Sequence, residues 1–339
     1  FLNNRLTFTG DYFIRNTEGM LADSYELPGV FGAKTPDENC ADLRTNGWEL
    51  YLGWNDSFAL MGKRFNYTVS ATLGDNKTVF TKFNNPEKNL SNHYEGKVLG
   101  EIWGYRVDGL FASDEEAAEY TSKINQDAVN ERILTDKVDP YYRAGDLKFR
   151  DLDGDNVISK GDDTAYDAGD REIIGNETPR YMYSFRLGAD WNGFDLGIFF
   201  QGVGKRDWYP NYLSTGFWGP YSRAFTSFIP ENFMDQCWSE ENRDGYFPRF
   251  RGYQTFAGSQ LGVNNDRYLQ DASYIRLKNL TVGYTLPVLK KVFTKLRVYF
   301  TGENLWYWSP MLKHTKYIDP EAAGGNGNTG MAYNYSRNF

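Results

Sequence analysis

Apolar and polar residues alternate one by one along seven separated stretches of the chain, the period of a strand with two unlike faces. In residues 5–14, Leu6, Phe8, Tyr12 and Ile14 share one face and Arg5, Thr7, Thr9 and Asp11 the other. In 47–55, Trp48, Leu50, Leu52 and Trp54 oppose Glu49, Tyr51 and Asn55. In 63–74, Phe65, Tyr67, Val69, Ala71 and Leu73 oppose a wholly polar row of Asn66, Thr68, Ser70 and Thr72. Strands at 181–191 and 193–203 carry Tyr183, Phe185, Leu187, Ala189 and Trp191, then Phe194, Leu196, Ile198 and Phe200. The sixth, about 272–286, changes phase near Lys278, from Ile275 and Leu277 to Leu280, Val282, Tyr284 and Leu286. One extra residue there predicts a β-bulge. The seventh, about 294–305, sets Leu296, Val298 and Phe300 against Arg297, Tyr299 and Thr301, and the start of a last strand falls at 331–339.

The connections alternate between short and long. Short turns fall around Asp56–Lys63, at Asn192-Gly193 and at Pro287–Thr294, and Asn-Gly is the strongest two-residue hairpin signal. The segments 16–46, 75–180, 205–271 and 306–331 are long, polar and rich in Gly, Asn, Asp and Tyr, and loops of such length are usually functional. Short turns on one side and long loops on the other predict a transmembrane antiparallel β-barrel, with an apolar outer band and aromatic girdles. Trp48, Trp54, Trp191, Phe194 and Trp306 sit at strand ends and fit such girdles. A soluble β-sandwich produces the same alternation, but strand length, aromatic ends and one-sided loops favour the barrel. Within 75–180, Ser113 ahead of Asp114, Glu115 and Glu116 predicts a capped helix over about 114–124, read as packing inside the loop.

Composition narrows the function classes. Aromatic residues make up 17% of the 339 positions, yet mean hydropathy is only -0.63, so the aromatics must alternate with polar residues or lie in polar loops. No stretch approaches the ~18 apolar residues of a membrane helix. A net charge of -8 without a basic block excludes a nucleic-acid backbone as partner. Cys40 and Cys237 lie far apart without metal-ligand spacing, and His93 and His314 are the only histidines. Adjacent acids such as Glu240–Glu241 and Asp114–Glu115 read as solvated charge, and no nucleophile motif, phosphate loop or zinc motif appears. The chain is therefore not expected to be an enzyme. It starts Phe-Leu-Asn-Asn, without Met or an apolar leader, and is expected to begin inside a larger protein.

One compact chemical motif stands out, from Asp151 to Asp163. Counting Asp151 as position 1, carboxylates occupy positions 1, 3, 5 and 12 (Asp151, Asp153, Asp155 and Asp162), with Val157 at 7 and Ser159 at 9. This spacing lets a loop wrap Ca²⁺ in hard oxygens, and clustered carboxylates need a cation between them. Asn156 stands where such loops usually have Gly, a mild departure because Asn tolerates left-handed backbone. Asp162 replaces the longer bidentate Glu, as in bacterial dockerin-type loops. A bound ion here is expected to brace the loop structurally.

Several motifs, in order, resemble the SusC/RagA family of TonB-linked outer-membrane transporters. Tyr268 to Pro287 looks like the family's penultimate hairpin region. Ile174-Gly-Asn176, Trp191-Asn-Gly-Phe-Asp-Leu196 and Phe200-Gln-Gly-Val-Gly204 resemble the hairpin before it, and Gly145-Asp-Leu-Lys-Phe-Arg150 plus the acidic loop is similar to a family element. Arg297 to Trp306 and Asp319-Pro-Glu321 look like the last complete strand and its following loop. Glu177 departs from the family's usual Pro.

The resemblance implies the C-terminal part of a 22-stranded barrel whose plug domain and TonB box are not in this chain. It implies TonB-dependent import of oligosaccharides, or peptides, across the outer membrane of a Bacteroidetes-type bacterium, with a SusD-like surface lipoprotein as lid and the long loops facing the exterior. Within 205–271, Trp208, Tyr209, Tyr212, Trp218, Tyr221, Trp238 and Tyr246 are candidate contacts to cargo or lid, since aromatic faces stack on sugars and proteins alike. The alternatives are a passive porin or adhesin barrel, and a secreted calcium-dependent glycan-binding β-sandwich.

Overall fold

In the computed structural model, which describes residues 1–23, 37–223, 229, 231–287, 294–316 and 318–323, the alternating stretches become long strands. The first three are β1 (Leu6–Asp23), β2 (Asp37–Leu60) and β3 (Lys63–Lys82). The following segment carries short strands β4 (Glu101–Tyr105), β5 (Val107–Leu110), β6 (Leu147–Phe149) and β7 (Arg171–Asn176), with helix α1 (Asp114–Thr121) between β5 and β6. Next come β8 (Arg180–Trp191) and β9 (Phe194–Lys205), and then the short β10 (Asp207–Trp208), β11 (Cys237–Trp238), β12 (Phe247–Arg249) and β13 (Gln270–Asp271). The last two long strands are β14 (Tyr274–Leu286) and β15 (Leu296–Trp308).

The long strands form one antiparallel meander, β1-β2-β3-β8-β9-β14-β15, and the register explains why alternation was so regular. Phe8 lies opposite Leu52, Leu52 opposite Ala71, Ala71 opposite Phe185, and Phe185 opposite Phe200. Leu196 faces Val282, which faces Phe300. One apolar face thus runs across all seven strands, and Phe8, Leu52, Val298 and Phe300 on it are exposed. A sandwich would cover this face with a second sheet; among the described residues nothing does, which is the signature of a lipid-facing surface. The opposite face is polar: Thr72 and Ser184 share a hydrogen bond of 2.6 Å, Asn66 donates to Asp190 at 2.7 Å, and Thr281 bonds Thr301 at 3.1 Å.

The bulge falls where the phase change placed it. Both pairings of β14 skip between Leu277 and Asn279, so Leu277 meets Phe200 and Leu280 meets Ile198 on the same apolar face. Without the extra residue, one half of the strand would turn its hydrophobic set to the polar side. The Asn192-Gly193 hairpin has φ +48 and +91, the left-handed pair of a tight turn matching strand twist. The expected turn at Asp56–Lys63 is tighter than supposed, since β2 runs to Leu60 and only Met61-Gly62 reverses the chain. Around these turns lies an aromatic belt: Phe58, Phe65 and Tyr67 are in ring contact, Phe194 lies 4.4 Å from Tyr284, and Trp191 donates to the carbonyl of Leu60 at 3.1 Å.

Two boundary expectations need correction: β3 continues past residue 74 to Lys82, so the long connection starts at 83 rather than 75. Residues 16–46 are not a simple loop, because β1 continues to Asp23 and β2 begins at Asp37. With 24 residues, β2 is about 80 Å long at ~3.4 Å per residue, far beyond the ~9–11 residues that cross a bilayer. In its outer part only Ala41 and Leu43 join a small apolar cluster with Phe80 and Phe83, and a register shift between Asp42 and Leu43 breaks the alternation there. The expected strand at 331–339 lies outside the described residues, as do parts of segments 16–46, 205–271 and 306–331.

Candidate functional site

The three segments 83–180, 205–271 and 306–323 are not separate loops; they fold into one packed cap at the long-loop end of the sheet. Its core draws Tyr105, Val129, Leu147, Phe149 and Ile158 from the first, Trp208, Phe217, Trp218, Tyr221, Phe247 and Tyr268 from the second, and Met311 and Ile318 from the third. Helix α1 begins as expected, with Ser113 Oγ accepting the N–H of Glu116 at 3.1 Å. The Glu116 carboxylate reaches back to the N–H of Ala112 at 2.7 Å, and the helix ends at Thr121.

The Gly145-Asp146 motif joins two of the segments. Gly145 has φ +86, and a Cβ there would stand 2.3 Å from the Trp238 ring, so only glycine admits this approach. Asp146 is buried and takes a bidentate pair from Arg251, at 3.0 Å from Nε and 2.9 Å from Nη2. Burial raises the Asp146 carboxyl above its ordinary range, against the pull of Arg251. Arg251 also donates to the carbonyls of Asp139 and Tyr141.

This packing corrects most of the expected ligand contacts. Trp208, Trp218 and Tyr221 are buried in the cap core, where large apolar faces exclude water against other rings, and Trp238 is buried outside that core beneath Arg249, 4.9 Å over its ring. Tyr209 and Tyr246 are partly buried and bonded inward: Tyr209 donates to the Val263 carbonyl at 2.8 Å, and Tyr246 stacks on His314 at 3.5 Å. Burial pushes the Tyr246 hydroxyl up to about 12 and, with Lys313 and Arg267 nearby, draws His314 down to about 4. Tyr212 alone of the seven is exposed, in ring contact with Phe256.

The acidic loop takes the expected turn with a different acid at its centre. Asp151 accepts the N–H groups of Gly154 and Asn156 at 2.7 and 2.9 Å, Asp153 that of Asp155 at 3.1 Å, and Asp155 that of Val157 at 2.7 Å. Asn156 has φ +67, the left-handed conformation anticipated for it. Among the described residues, the carboxylates whose oxygens lie within 4.8 Å of one another are Asp151, Asp153 and Asp170. Asp155 and Asp162 are outside that group; Asp162 uses its N–H on Asp167 at 3.3 Å, and Ser159 turns its hydroxyl to the N–H of Gly161 at 3.1 Å.

Asp170 is buried and fixed by the N–H groups of Leu152 at 2.7 Å and Ser159 at 2.8 Å. Burial raises its carboxyl, the two N–H bonds oppose that, and Asp153 and Asp151 raise it further. It lies beyond a twelve-residue window from Asp151, and only the return of the chain at Gly169, 2.5 Å from the Ser159 carbonyl at its Cβ position, brings it in. Three carboxylates in an all-oxygen setting suit a hard cation such as Ca²⁺.

At the junction of cap and sheet, the Asp319-Pro320-Glu321 turn is pinned to the polar face. Arg276 on β14 pairs with Asp319, both buried, and its Nε lies 3.1 Å from Glu321. Lys278, at the bulge, donates to both Glu321 oxygens at 3.0 and 2.9 Å. Arg206, just after β9, donates to the carbonyls of Glu177 and Pro320, each at 3.2 Å. Beside this turn lies a cavity of 490 Å³, lined among others by Thr72, Ser184, Gln201, Arg206, Tyr274 and Glu321.

No family model matches the chain. Curated relatives do: it is 28% identical over 345 residues to TonB-dependent receptor P3 of Formosa agariphila, covering 96% of this chain and 30% of that protein. TonB-dependent receptor P26 of the same organism is 25% identical, over 98% of this chain and 31% of the relative. The solved RagAB peptide transporter superposes with a TM-score of 0.62 at 22% identity, over 97% of this chain and 32% of that one. In sequence the chain is similar to these TonB-dependent receptors, and its strands take the barrel-type fold seen in the RagAB structure. It spans about a third of the length of its relatives, which are named as receptors and transporters, not enzymes.

Proposed function

We propose that the chain is the C-terminal barrel portion of an outer-membrane importer that draws oligosaccharides or peptides inward on TonB-delivered energy. A SusD-like surface lipoprotein is the partner in this reading, seated over the cap, with the cap facing the cell exterior. The observation that carries it is the collinear match to TonB-dependent receptors over 96% of the chain. A mouth covered by three interlocked segments also fits gated uptake better than a passive pore, whose lumen stays water-filled. The test is uptake in the producing bacterium. Deleting the gene should abolish growth on the cargo, and removing TonB or collapsing the proton gradient should do the same. Uptake that persists without TonB would favour the porin reading.

The acidic loop is proposed to hold one structural Ca²⁺ through Asp151, Asp153 and Asp170, whose carboxylate oxygens converge, with loop oxygens around Asp155 to Ser159 completing the shell. At a calcium level 100 times the dissociation constant, binding stabilises the loop by about 2.7 kcal/mol. Chelation should therefore speed protease cleavage within 151–170 by about 100-fold, and Asp170→Asn should remove the response to calcium. Equal cleavage with and without chelator would refute the site.

A further inference from the structure

We propose that the 490 Å³ cavity beneath the cap is a carboxylate-binding site, in which Arg206 takes an acidic group of the solute being carried. Calling the occupant cargo rests on the importer reading; the chemistry of the site does not.

Arg206 lines this cavity and is half-buried, yet among the described residues it makes no ion pair. Its Nε and Nη1 donate only to backbone carbonyls, of Glu177, Pro320 and Glu321. Nη2 has no hydrogen-bond partner among the described residues. Of the acids near it, Glu321 gives its carboxylate to Lys278 and Arg276, and Glu177 acts on it only at a distance, from an exposed position where solvent screens the charge. A guanidinium carries five donors in a rigid fork suited to carboxylates. Carbonyl partners fix its position without cancelling its charge, so its remaining donors favour an anion arriving from the cavity.

The walls describe the rest of the ligand. Met182, Phe199, Val203 and Tyr274 are apolar, while Thr72, Ser184 and Gln201 are polar. Such a mixture is typical of small-molecule sites, which run to about 300–1,000 Å³. The cavity lies on the polar face of the sheet, which faces the lumen of a barrel, so a solute passing the cap meets it. Both a uronic-acid sugar and a peptide with a free carboxylate present this chemistry.

The full-length transporter in detergent tests the proposal by calorimetric titration with four probes: tetragalacturonate, its methyl ester, a tetrapeptide with a free C-terminus, and the same peptide amidated. One acid is expected to bind at least about 10-fold tighter than its neutral form, the scale of one charge-assisted hydrogen bond; which acid does so identifies the source. Arg206→Gln should erase that preference, and Arg206→Lys should keep part of it. Ser184→Trp fills the cavity and leaves the carbonyl bonds of Arg206 alone, and it should block binding of the acid even if Arg206→Gln loosens the turn at Asp319. Equal binding of acid and neutral forms by the natural protein, or undiminished binding by Ser184→Trp, overturns the proposal. Cell uptake separates the two readings. Loss of TonB dependence defeats the importer alone, while TonB-dependent uptake indifferent to Arg206→Gln, with no acid preference in vitro, defeats the carboxylate site alone.

Discussion

Replacing Trp218 by alanine is expected to lower the free energy of opening the cap by about 3–5 kcal/mol, the range for truncating a buried aromatic. The indole is fully buried and in ring contact with Phe217 at 4.7 Å, Tyr268 at 5.4 Å, Tyr209 at 6.1 Å and Phe247 at 6.3 Å. Its Nε1 donates to the carbonyls of Pro210 and Asn211 at 3.1 and 3.0 Å, and both would lose a buried donor. Since each 1.4 kcal/mol is tenfold, hydrogen exchange of core amides around Tyr268 and Phe247 should speed up by roughly two to three and a half powers of ten. A Trp218 whose main task were to stack on cargo would give a different result: unchanged exchange without ligand and weaker ligand binding.

A comparable loss is expected for Arg276→Ala. The guanidinium and the Asp319 carboxylate are both almost completely buried, and Arg276 also lies 4.8 Å over the Tyr307 ring. Breaking a buried pair by removing one partner leaves an uncompensated charge and costs about 3–5 kcal/mol. The consequence is local: residues 318–323 should detach from β14 and become cleavable by protease in the purified protein, while the long strands keep their heat-modifiable migration in gels. Replacing both partners, Arg276→Met with Asp319→Leu, should cost less than Arg276→Ala, because no lone charge then remains in the interior. If the double variant is as labile as the single one, the turn is held by something other than this pair.

Legibility in the sequence followed the environment of each segment. Leu50, Leu52 and Val69 alternate with polar neighbours because one side meets an apolar medium and the other does not, and the strands were visible wherever that contrast holds. The outer halves of β1 and β2 pack only a small apolar cluster, Met20, Ala22, Ala41 and Leu43 against Phe80 and Phe83, and register shifts at Thr17/Met20, Met20/Leu21 and Asp42/Leu43 interrupt the alternation. The Lys278 bulge was legible for the same reason as the strands, because a shift in phase is itself a periodic signal.

The candidate site was legible only in part. Asp151 and Asp153 sit in a contiguous motif whose turn is set by local hydrogen bonds, so spacing revealed them. Asp170 arrives through the packing of Gly169 on Ser159, a contact between chain segments that no spacing rule records. The aromatic residues of 205–271 were visible as a group, but composition does not say whether a ring faces a ligand or another ring. The sequence by itself determined the strands, their turns, the bulge and the family resemblance, because all of these are encoded over a few residues or in repeated order. Only the tertiary structure decided that three long loops share one core, that Trp218 and Tyr221 pack inside it, and that Asp319 and Glu321 lock onto Arg276 and Lys278. Those outcomes depend on which distant side chains exclude water and balance charge together, and that information resides in the contacts rather than in the order of residues.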